Sequence, residues 1–307
     1  MLHCDNKTAG FSGIECCYRL SLLEEAGCPL HNTPLDFCFF IDNGDSEVIM
    51  SGNAELFYTE QGEGFPLMII HGLFGSADNW RTLSKKFSET YRVIALDLRN
   101  HGRSPHLDGM SYEAMAADVL ALMDKLGLDK AHILGHSMGG KVAMQLAMNC
   151  PGRVEKLIVA DIAPVEYGHG HDEVLAALYA VQNAGGAASR KEADTIMATH
   201  LDTLGVRQFL STNLEKKDSG KLGWRMGLDQ INADYDSVVE APTGQIFDKP
   251  ALFIRGELSH YVEDRYLPEI DRLFPHNQLV TMAGCGHWLH AEKPQDFLAH
   301  VQGFLQQ

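Results

Sequence analysis

The chain has 307 residues, 45% of them hydrophobic, and a formal net charge of -16 at pH 7. A chain of this length can bury a sizeable core as one large domain or two small ones. Binding to nucleic acid or to an anionic membrane surface needs a basic patch, so the acidic balance argues against both kinds of partner. No apolar run approaches the roughly 20 residues of a membrane-spanning helix, so we expect no membrane span.

Residues 1–49 form an N-terminal extension that precedes the predicted strands and helices of the rest of the chain. The total of seven cysteines is odd, which does not match a disulfide framework, and no C-x-x-C spacing indicates zinc, so we expect no metal. The positive and apolar regions of a secretory signal peptide are missing, and we expect a cytoplasmic protein. Met50 directly precedes the first strand-like segment. The extension is therefore expected to be non-native or poorly ordered sequence upstream of a natural start at Met50, or a genuine segment that packs on the domain.

Predicted strands and helices alternate over residues 50–161. In chain order they are strand Glu55–Glu60, strand Pro66–His71, helix Ser76–Phe87, strand Arg92–Leu98, helix Met110–Leu126, strand Ala131–Gly135, helix Met138–Asn149 and strand Val154–Ala160. The glycines at 62 and 64 predict a hairpin turn between the first two strands. Alternation of this kind predicts an α/β fold, with a mostly parallel sheet, right-handed crossovers and helices on both faces.

The alternation stops over residues 162–249, where helical patterns occur without a convincing strand. The predicted helices are Asp172–Ala184, Arg190–Leu201, Val206–Leu214 and Trp224–Ile231. Strands resume at Pro250–Arg255 and Gln278–Met282, and a final helix covers Pro294–Leu305. This order predicts a core of residues 50–161 and 250–307, with residues 162–249 as a helical cap, or lid. The cap is expected over the carboxyl edge of the sheet, where ligands bind in open α/β folds.

A glycine-flanked serine follows the strand Ala131–Gly135. The stretch Gly135-His136-Ser137-Met138-Gly139 has the G-x-S-x-G form of a nucleophile elbow, a sharp strand-to-helix turn that exposes the serine hydroxyl. The two glycines leave room for the strained backbone of such a turn. Because short glycine-serine patterns also recur by chance, Ser137 is a candidate nucleophile only if the chain supplies its partners.

Serine is a weak nucleophile at neutral pH and needs a base and donors for an oxyanion. His287 lies in a glycine-containing loop after the last predicted strand, and an early serine followed by a late histidine is the order found in hydrolases of this fold. We therefore predict His287 as the base. The oxyanion is expected to receive the N–H of Met138 and the N–H of Leu73 or Phe74, in the loop after the strand Pro66–His71.

Residues 53 to 306 resemble the α/β-hydrolase superfamily. The segments that carry the resemblance are His71–Gly75, Asp97–Ser104, the elbow and Gly286-His287. The stretches that resemble the small YbfF-type esterases and their eukaryotic relatives are His71–Ser76, Asp161–Val165, Gly286–Trp288 and His290–Pro294. The resemblance implies a serine carboxylesterase that hydrolyses short- to medium-chain acyl esters, or thioesters, through an acyl-enzyme intermediate and without a cofactor. A serine at the elbow argues against haloalkane dehalogenases and epoxide hydrolases, which carry an aspartate there.

The acid that orients His287 stays open at this point. Most of the superfamily carry it a few residues after the strand that precedes the histidine strand, but Ser259 fills that position here. The resemblance to the YbfF-type esterases implies that Asp161 is the acid. Asp229 matches a position in the eukaryotic relatives, and Glu257 lies close to the usual place. We predict Asp161, with Asp229 as the runner-up.

Apolar residues of the predicted cap are expected to line an acyl pocket, and these are Leu175, Leu178, Phe209, Leu210 and Trp224. The expected partners are a small-molecule ester and water, without nucleic acid, and the sequence carries no prediction of oligomeric state. The alternative function is a carbon–carbon bond hydrolase or a perhydrolase of the same fold. A non-catalytic protein that uses the same pocket as a receptor is less favoured, because the serine, the histidine and the donor loop all occur together.

Overall fold

The computed structural model describes residues 53–307, so the expectations for residues 1–49 and for a start at Met50 lie outside the described residues. The first elements are strand β1 (Tyr58–Gln61), strand β2 (Pro66–Ile70), helix α1 (Arg81–Phe87), strand β3 (Arg92–Leu96), helix α2 (Tyr112–Lys125), strand β4 (Ala131–His136), helix α3 (Met138–Asn149) and strand β5 (Val154–Ala160). Short 3-10 turns at Ala77–Trp80 and Pro151–Arg153 precede α1 and β5.

The next segment leaves the sheet and returns to it at residue 251. It contains helix α4 (Asp172–Asn183), helix α5 (Arg190–Met197), helix α6 (Leu204–Leu210), strand β6 (Leu214–Lys216), strand β7 (Leu222–Trp224), helix α7 (Leu228–Ala233) and helix α8 (Tyr235–Val239). Strands β6 and β7 pair antiparallel, so the expectation of a segment without strands is wrong, as is the helix predicted to start at Trp224. Strands of three residues are too short to show an alternating pattern in sequence.

The last part of the chain completes the sheet. Its elements are strand β8 (Ala251–Gly256), helix α9 (Leu267–Leu273), strand β9 (Asn277–Met282), helix α10 (Leu289–Glu292) and helix α11 (Pro294–Leu305). In the part of the chain that the structure describes, no helix combines the length and the apolar character needed to cross a bilayer.

Seven strands form the main sheet in the order β1-β3-β2-β4-β5-β8-β9. All neighbouring pairs are parallel except β1 with β3, where Tyr58 lies opposite Leu96. This arrangement confirms the predicted fold class. The hairpin predicted at residues 62–64 is wrong, because β3 and β4 occupy both edges of β2 and β1 pairs with β3 instead.

Both faces of the sheet are covered by helices. Leu67 and Ile69 of β2 belong to a buried cluster that includes residues of α1 and α11, whereas Met68 and Ile70 are also fully buried but lie on the opposite face. Ser111 is the N-cap of helix α2, and its side chain accepts a hydrogen bond from the Ala114 N–H.

Candidate active site

The backbone at Ser137 is strained in the way that an elbow requires. Ser137 joins β4 to α3 with φ 53° and ψ -123°, a conformation that L-residues rarely adopt. A side chain at Gly135 would place its Cβ 2.1 Å from the Gly139 carbonyl oxygen, and one at Gly139 would lie 2.4 Å from the His71 carbonyl oxygen. Since neither contact is possible, only glycine fits on both sides of the serine.

Positive φ angles gather at the predicted site. Within residues 53–307, the non-glycine residues with positive φ are Phe74, Asn100, Ser137 and Asp161. Three of these four are predicted site residues, and they come from three separate loops at the carboxyl edge of the sheet. Such strain persists only where the surrounding structure enforces it, and it is concentrated at functional sites.

Three side chains form a continuous chain of hydrogen bonds. His287 Nδ1 lies 2.7 Å from Asp161 Oδ2, and His287 Nε2 lies 3.0 Å from Ser137 Oγ. A carboxylate only accepts hydrogen bonds, so Nδ1 carries the imidazole proton and Nε2 is free to accept the serine proton. The three residues are 126 and 150 positions apart along the chain, and the sheet topology brings them together.

The Asp161 carboxylate is completely buried and fully hydrogen-bonded. Its Oδ1 accepts the Gly256 N–H at 2.9 Å, and its Oδ2 accepts the Ser259 hydroxyl in addition to His287. A buried charge of this kind is tolerated because its oxygens have donors. Ser259, which stands where most of the superfamily carry the acid, therefore supports an acid that comes from another strand.

The two other candidate acids lie in different environments. Asp229 accepts hydrogen bonds from Tyr179 Oη at 3.1 Å and from Gln182 Nε2 at 3.0 Å, both within the 162–249 segment. Glu257 accepts the Gly284 N–H at 2.7 Å and so braces the histidine loop. The structure brings neither carboxylate to the His287 ring, whose hydrogen bonds go to Asp161 and Ser137.

A tight turn at residues 72–75 faces the elbow. The Gly75 N–H donates to the Gly72 carbonyl at 2.9 Å, and Phe74 occupies the position with φ 60°. Asn213 Nδ2, from the 162–249 segment, donates to the Phe74 carbonyl at 2.7 Å. Among the described residues, the N–H groups of Leu73, Phe74 and Met138 make no hydrogen bond, which leaves them available to an oxyanion.

Two buried histidines brace the loops around the serine. His71 donates from Nδ1 to the Gly72 carbonyl at 2.8 Å, and its Nε2 accepts the Leu98 N–H at 3.0 Å. Burial lowers the pKa of His71 to about 4, so it stays neutral as this bonding pattern requires. His136 donates from Nε2 to the His287 carbonyl at 2.9 Å and so ties the elbow to the histidine loop.

A cavity of about 320 Å³ opens onto Ser137 and His287, and we call it the large lobe. Of the five residues expected to line an acyl pocket, Phe209 and Leu210 line this lobe. The other three, Leu175, Leu178 and Trp224, do not line it. They are buried within the 162–249 segment, where Trp224 Nε1 donates to the Leu178 carbonyl at 2.9 Å. On α4, the neighbouring residue Val174 faces the lobe instead.

A second cavity of about 50 Å³ adjoins the large lobe at the serine, and we call it the small lobe. The residues that line both lobes are Leu73, Ser137, Gly170, His171 and Tyr261. Those that line only the small lobe include Tyr112, Met138, Lys141, Ile162, Tyr167 and Val238. His287 lines the large lobe but not the small one.

Four residues around the site have no counterpart among the predicted ones. They are Ser259, Asn213, His171 and Tyr261. Only Ser259 carried a signal, since it replaces an acid at a known position. Asn213 and His171 come from the 162–249 segment, where no local pattern singles out these two residues. Within residues 53–307, no three histidine, cysteine, aspartate or glutamate side chains are grouped so that they could hold a metal ion.

A mostly parallel seven-stranded sheet, with a serine elbow and a histidine loop at its carboxyl edge, defines an α/β hydrolase. The family model described as "alpha/beta hydrolase fold" matches residues 66–294. The chain therefore belongs to the α/β-hydrolase family.

Several known proteins are similar to this chain over most of its length. The sn-1-specific diacylglycerol lipase ABHD11 of Mus musculus is 40% identical over 247 residues, which cover 78% of this chain and 80% of that protein. Esterase YbfF of Escherichia coli is 40% identical over 241 residues, covering 78% and 92%. The solved structure of a marine microorganism esterase is 41% identical, with a TM-score of 0.79, and the match covers 82% of this chain and 99% of that one. The predicted resemblance and the predicted class, an ester-hydrolysing α/β hydrolase, are confirmed.

Proposed function

We propose that the protein is a serine carboxylesterase that forms an acyl-enzyme on Ser137, with His287 as the base and Asp161 as the acid. The observation that carries this assignment is the continuous hydrogen bonding from Asp161 through His287 to Ser137. Relatives named esterase and lipase support ester substrates. Short- to medium-chain acyl esters, or thioesters, are the substrate class.

Acylation begins when His287 Nε2 takes the Ser137 proton and the serine oxygen bonds to the ester carbonyl carbon. The carbonyl oxygen becomes an oxyanion, which receives the N–H of Met138 and that of Leu73 or Phe74. The bond from carbon to the leaving oxygen then breaks, and His287 returns the proton to that oxygen. Asp161 stabilises the imidazolium throughout, because its buried carboxylate accepts a hydrogen bond from the Nδ1–H group.

Deacylation repeats the same steps with water as the nucleophile and the Ser137 oxygen as the leaving group. His287 takes a proton from water, the hydroxide bonds to the acyl carbon, and the bond to Ser137 breaks as its oxygen regains a proton. The products are a carboxylic acid and the free enzyme. No cofactor takes part in this reaction.

We assign residues 162–249 as a cap that encloses the substrate. The support is the lining of the large lobe, where Val174, Leu201, Val206, Phe209 and Leu210 all come from this segment. The Asn213 hydrogen bond to the Phe74 carbonyl links the same segment to the oxyanion loop. A cap of this kind excludes water and so strengthens the electrostatic interactions at the serine.

The test combines covalent labelling with turnover. A fluorophosphonate probe is expected to form an adduct on Ser137, and p-nitrophenyl esters are expected to be hydrolysed by the wild type and not by Ser137→Ala. If the enzyme hydrolyses a carbon–carbon bond in ring-cleavage products faster than it hydrolyses any ester, the result would favour a carbon–carbon bond hydrolase instead. Peroxide-dependent oxidation would favour a perhydrolase, and the absence of an adduct would favour a receptor.

Cytoplasmic location stays a prediction from the sequence. Cell fractionation of the native source, with antibody detection of the chain, tests it. Recovery in a membrane or organelle fraction would contradict the prediction without affecting the assignment of the site.

A further inference from the structure

The two lobes meet at Ser137 but differ in their access to His287. In the tetrahedral intermediate, His287 must donate its proton to the leaving oxygen, so the leaving group has to lie on the side of the imidazole. Only the large lobe is lined by His287, and the adjoining Trp288 extends the same wall. The centre of the Tyr261 ring lies 4.2 Å from that of the His287 ring, and Tyr261 lines both lobes, so it forms a shared wall beside the imidazole.

The small lobe lies on the other side of the serine. Its wall includes Met138, whose N–H is a proposed oxyanion donor, and Val238 from helix α8. A substituent that occupies this lobe remains attached to the carbonyl carbon while the bond on the His287 side breaks. The small lobe is therefore placed to hold the acyl chain.

The polar groups of the small lobe are already satisfied within the protein. Lys141 Nζ donates to the carbonyls of Val239 and Glu240, and it lies 4.7 Å from the centre of the Tyr167 ring. The Tyr112 hydroxyl donates to the Val238 carbonyl, and the Tyr167 hydroxyl donates to the Tyr261 carbonyl. With these hydroxyl protons and two of the three Lys141 donors already used inside the protein, most of the surface that the lobe offers to an occupant is hydrocarbon, which favours an alkyl chain over a charged acyl group.

The two cavities also differ in size. A space of about 50 Å³ holds roughly three to five water-sized atoms, which corresponds to a chain of a few carbons. The large lobe, at about 320 Å³, holds a group several times larger, and its walls include the apolar side chains of Trp80, Phe209 and Leu210.

We propose that the small lobe binds the acyl group and the large lobe binds the leaving group, so that the preferred substrates are esters of short unbranched acids with bulky apolar alcohols. This inference rests on the proposed esterase function and narrows its substrate class. Val238, which lines the small lobe only, limits the acyl length, and Val174, which lines the large lobe only, contacts the leaving group.

These two valines provide a matched pair of variants, since each lines one lobe only. Turnover is measured with p-nitrophenyl acetate, butyrate and octanoate, and separately with acetate esters of ethanol, hexanol and 1-naphthol. The wild type is expected to prefer acetate and butyrate to octanoate, and the hexyl acetate to the ethyl acetate, whose leaving groups are similar in basicity. Val238→Ala is expected to raise kcat/KM for octanoate relative to acetate roughly tenfold, because a pocket enlarged by two methyl groups admits more of the chain. Val174→Ala is expected to leave that ratio unchanged and to alter the ratio between the alcohols.

Val238→Leu extends the test in the opposite direction, since it reduces the small lobe and is expected to lower turnover of butyrate more than that of acetate. The melting temperature of each variant is measured alongside. A wild type that prefers octanoate, or an acyl preference that responds to Val174→Ala and not to Val238→Ala, would overturn the assignment of the lobes while Ser137-dependent hydrolysis upheld the esterase. The absence of Ser137-dependent hydrolysis of every ester would overturn both proposals.

Discussion

The Ser259 hydroxyl donates a hydrogen bond to the same carboxylate oxygen of Asp161 that accepts the hydrogen bond from His287 Nδ1. Asp161 directly follows strand β5, and Ser259 follows the neighbouring strand β8. Since these strands pair in parallel, their carboxyl ends place both residues beside the histidine loop. The acid can therefore be supplied from either strand, and in this chain the position after β8 stabilises an acid that comes from β5.

The first prediction concerns Asp161→Asn. We expect kcat for p-nitrophenyl butyrate to fall by on the order of 10⁴, because an amide at this position does not hold the imidazole in the required tautomer. The fold should remain intact, since asparagine tolerates the positive φ of 54° at this residue. Asp229→Asn is the control and should retain near-normal turnover. Near-normal turnover of the Asp161 variant instead would move the role of the acid to Asp229.

The second prediction restores the acid from the other strand. Ser259→Asp, introduced into the Asp161→Asn variant, should recover at least about tenfold of the lost kcat, because residue 259 already reaches the atom that His287 contacts. Ser259→Asn in the same background is the matched control and should recover nothing. If the aspartate and the asparagine give equal rates, the two positions are not interchangeable.

Local sequence was sufficient to select Ser137 and His287, which the structure joins by a hydrogen bond, but not to select the carboxylate beside them. Ser137 and His287 each sit in a short segment whose glycines and preceding strand are visible in the sequence. Asp161 depends on β5 and β8 being neighbours, and strand order is a property of the whole sheet. The assignment from sequence therefore needed a resemblance to known esterases, and the contact with Ser259 was not predicted.

The residues that line the large lobe could not be selected from the sequence pattern alone. Helix α4 was predicted, but an apolar face does not indicate which of two possible partners covers it. Leu175 and Leu178 pack within the 162–249 segment, and the adjacent Val174 faces the large lobe. The β6–β7 pair was missed for a related reason, since three-residue strands carry too little periodicity to be recognised.

The third prediction concerns the buried ion pair between Arg99 and Asp118. Arg99 Nε lies 2.6 Å from Asp118 Oδ2, Arg99 Nη2 lies 2.8 Å from Oδ1, and both side chains are excluded from solvent. Asp118→Ala should lower the free energy of unfolding by about 3–5 kcal/mol, because it leaves the guanidinium buried without a counter-charge. Urea unfolding measures this loss.

The control for this prediction is an ion pair on the surface. Lys86 Nζ lies 3.3 Å from Glu89 Oε1, and both side chains are more than half exposed. Glu89→Ala should change the free energy of unfolding by less than about 1 kcal/mol, since water already solvates both charges. Losses of similar size in the two variants would contradict the distinction between the buried and the exposed pair.

The fourth prediction is a loss of stability in mild acid. Burial lowers the pKa of several histidines far below 6.5, to about 4 for His71, His132 and His171 and to about 3 for His101 and His290. Between these values and 6.5, the unfolded chain binds protons that the folded chain does not. The free energy of unfolding therefore rises with pH across this window and falls as the pH drops from 6.5 toward 4.

His132 allows the contribution of one histidine to be measured away from the serine. It lies on β4, its ring centre is 4.6 Å from that of Phe65, and its Nδ1 is buried without a hydrogen-bond partner, so His132→Leu removes no bond at that atom. Between pH 7.5 and pH 5.5, the variant should lose about 1.4 kcal/mol less stability than the wild type, as expected for one proton over the pH unit below 6.5. Urea unfolding at both pH values supplies the comparison. An equal loss in the two proteins would show that His132 is protonated in the folded state, with a pKa close to that of an exposed histidine.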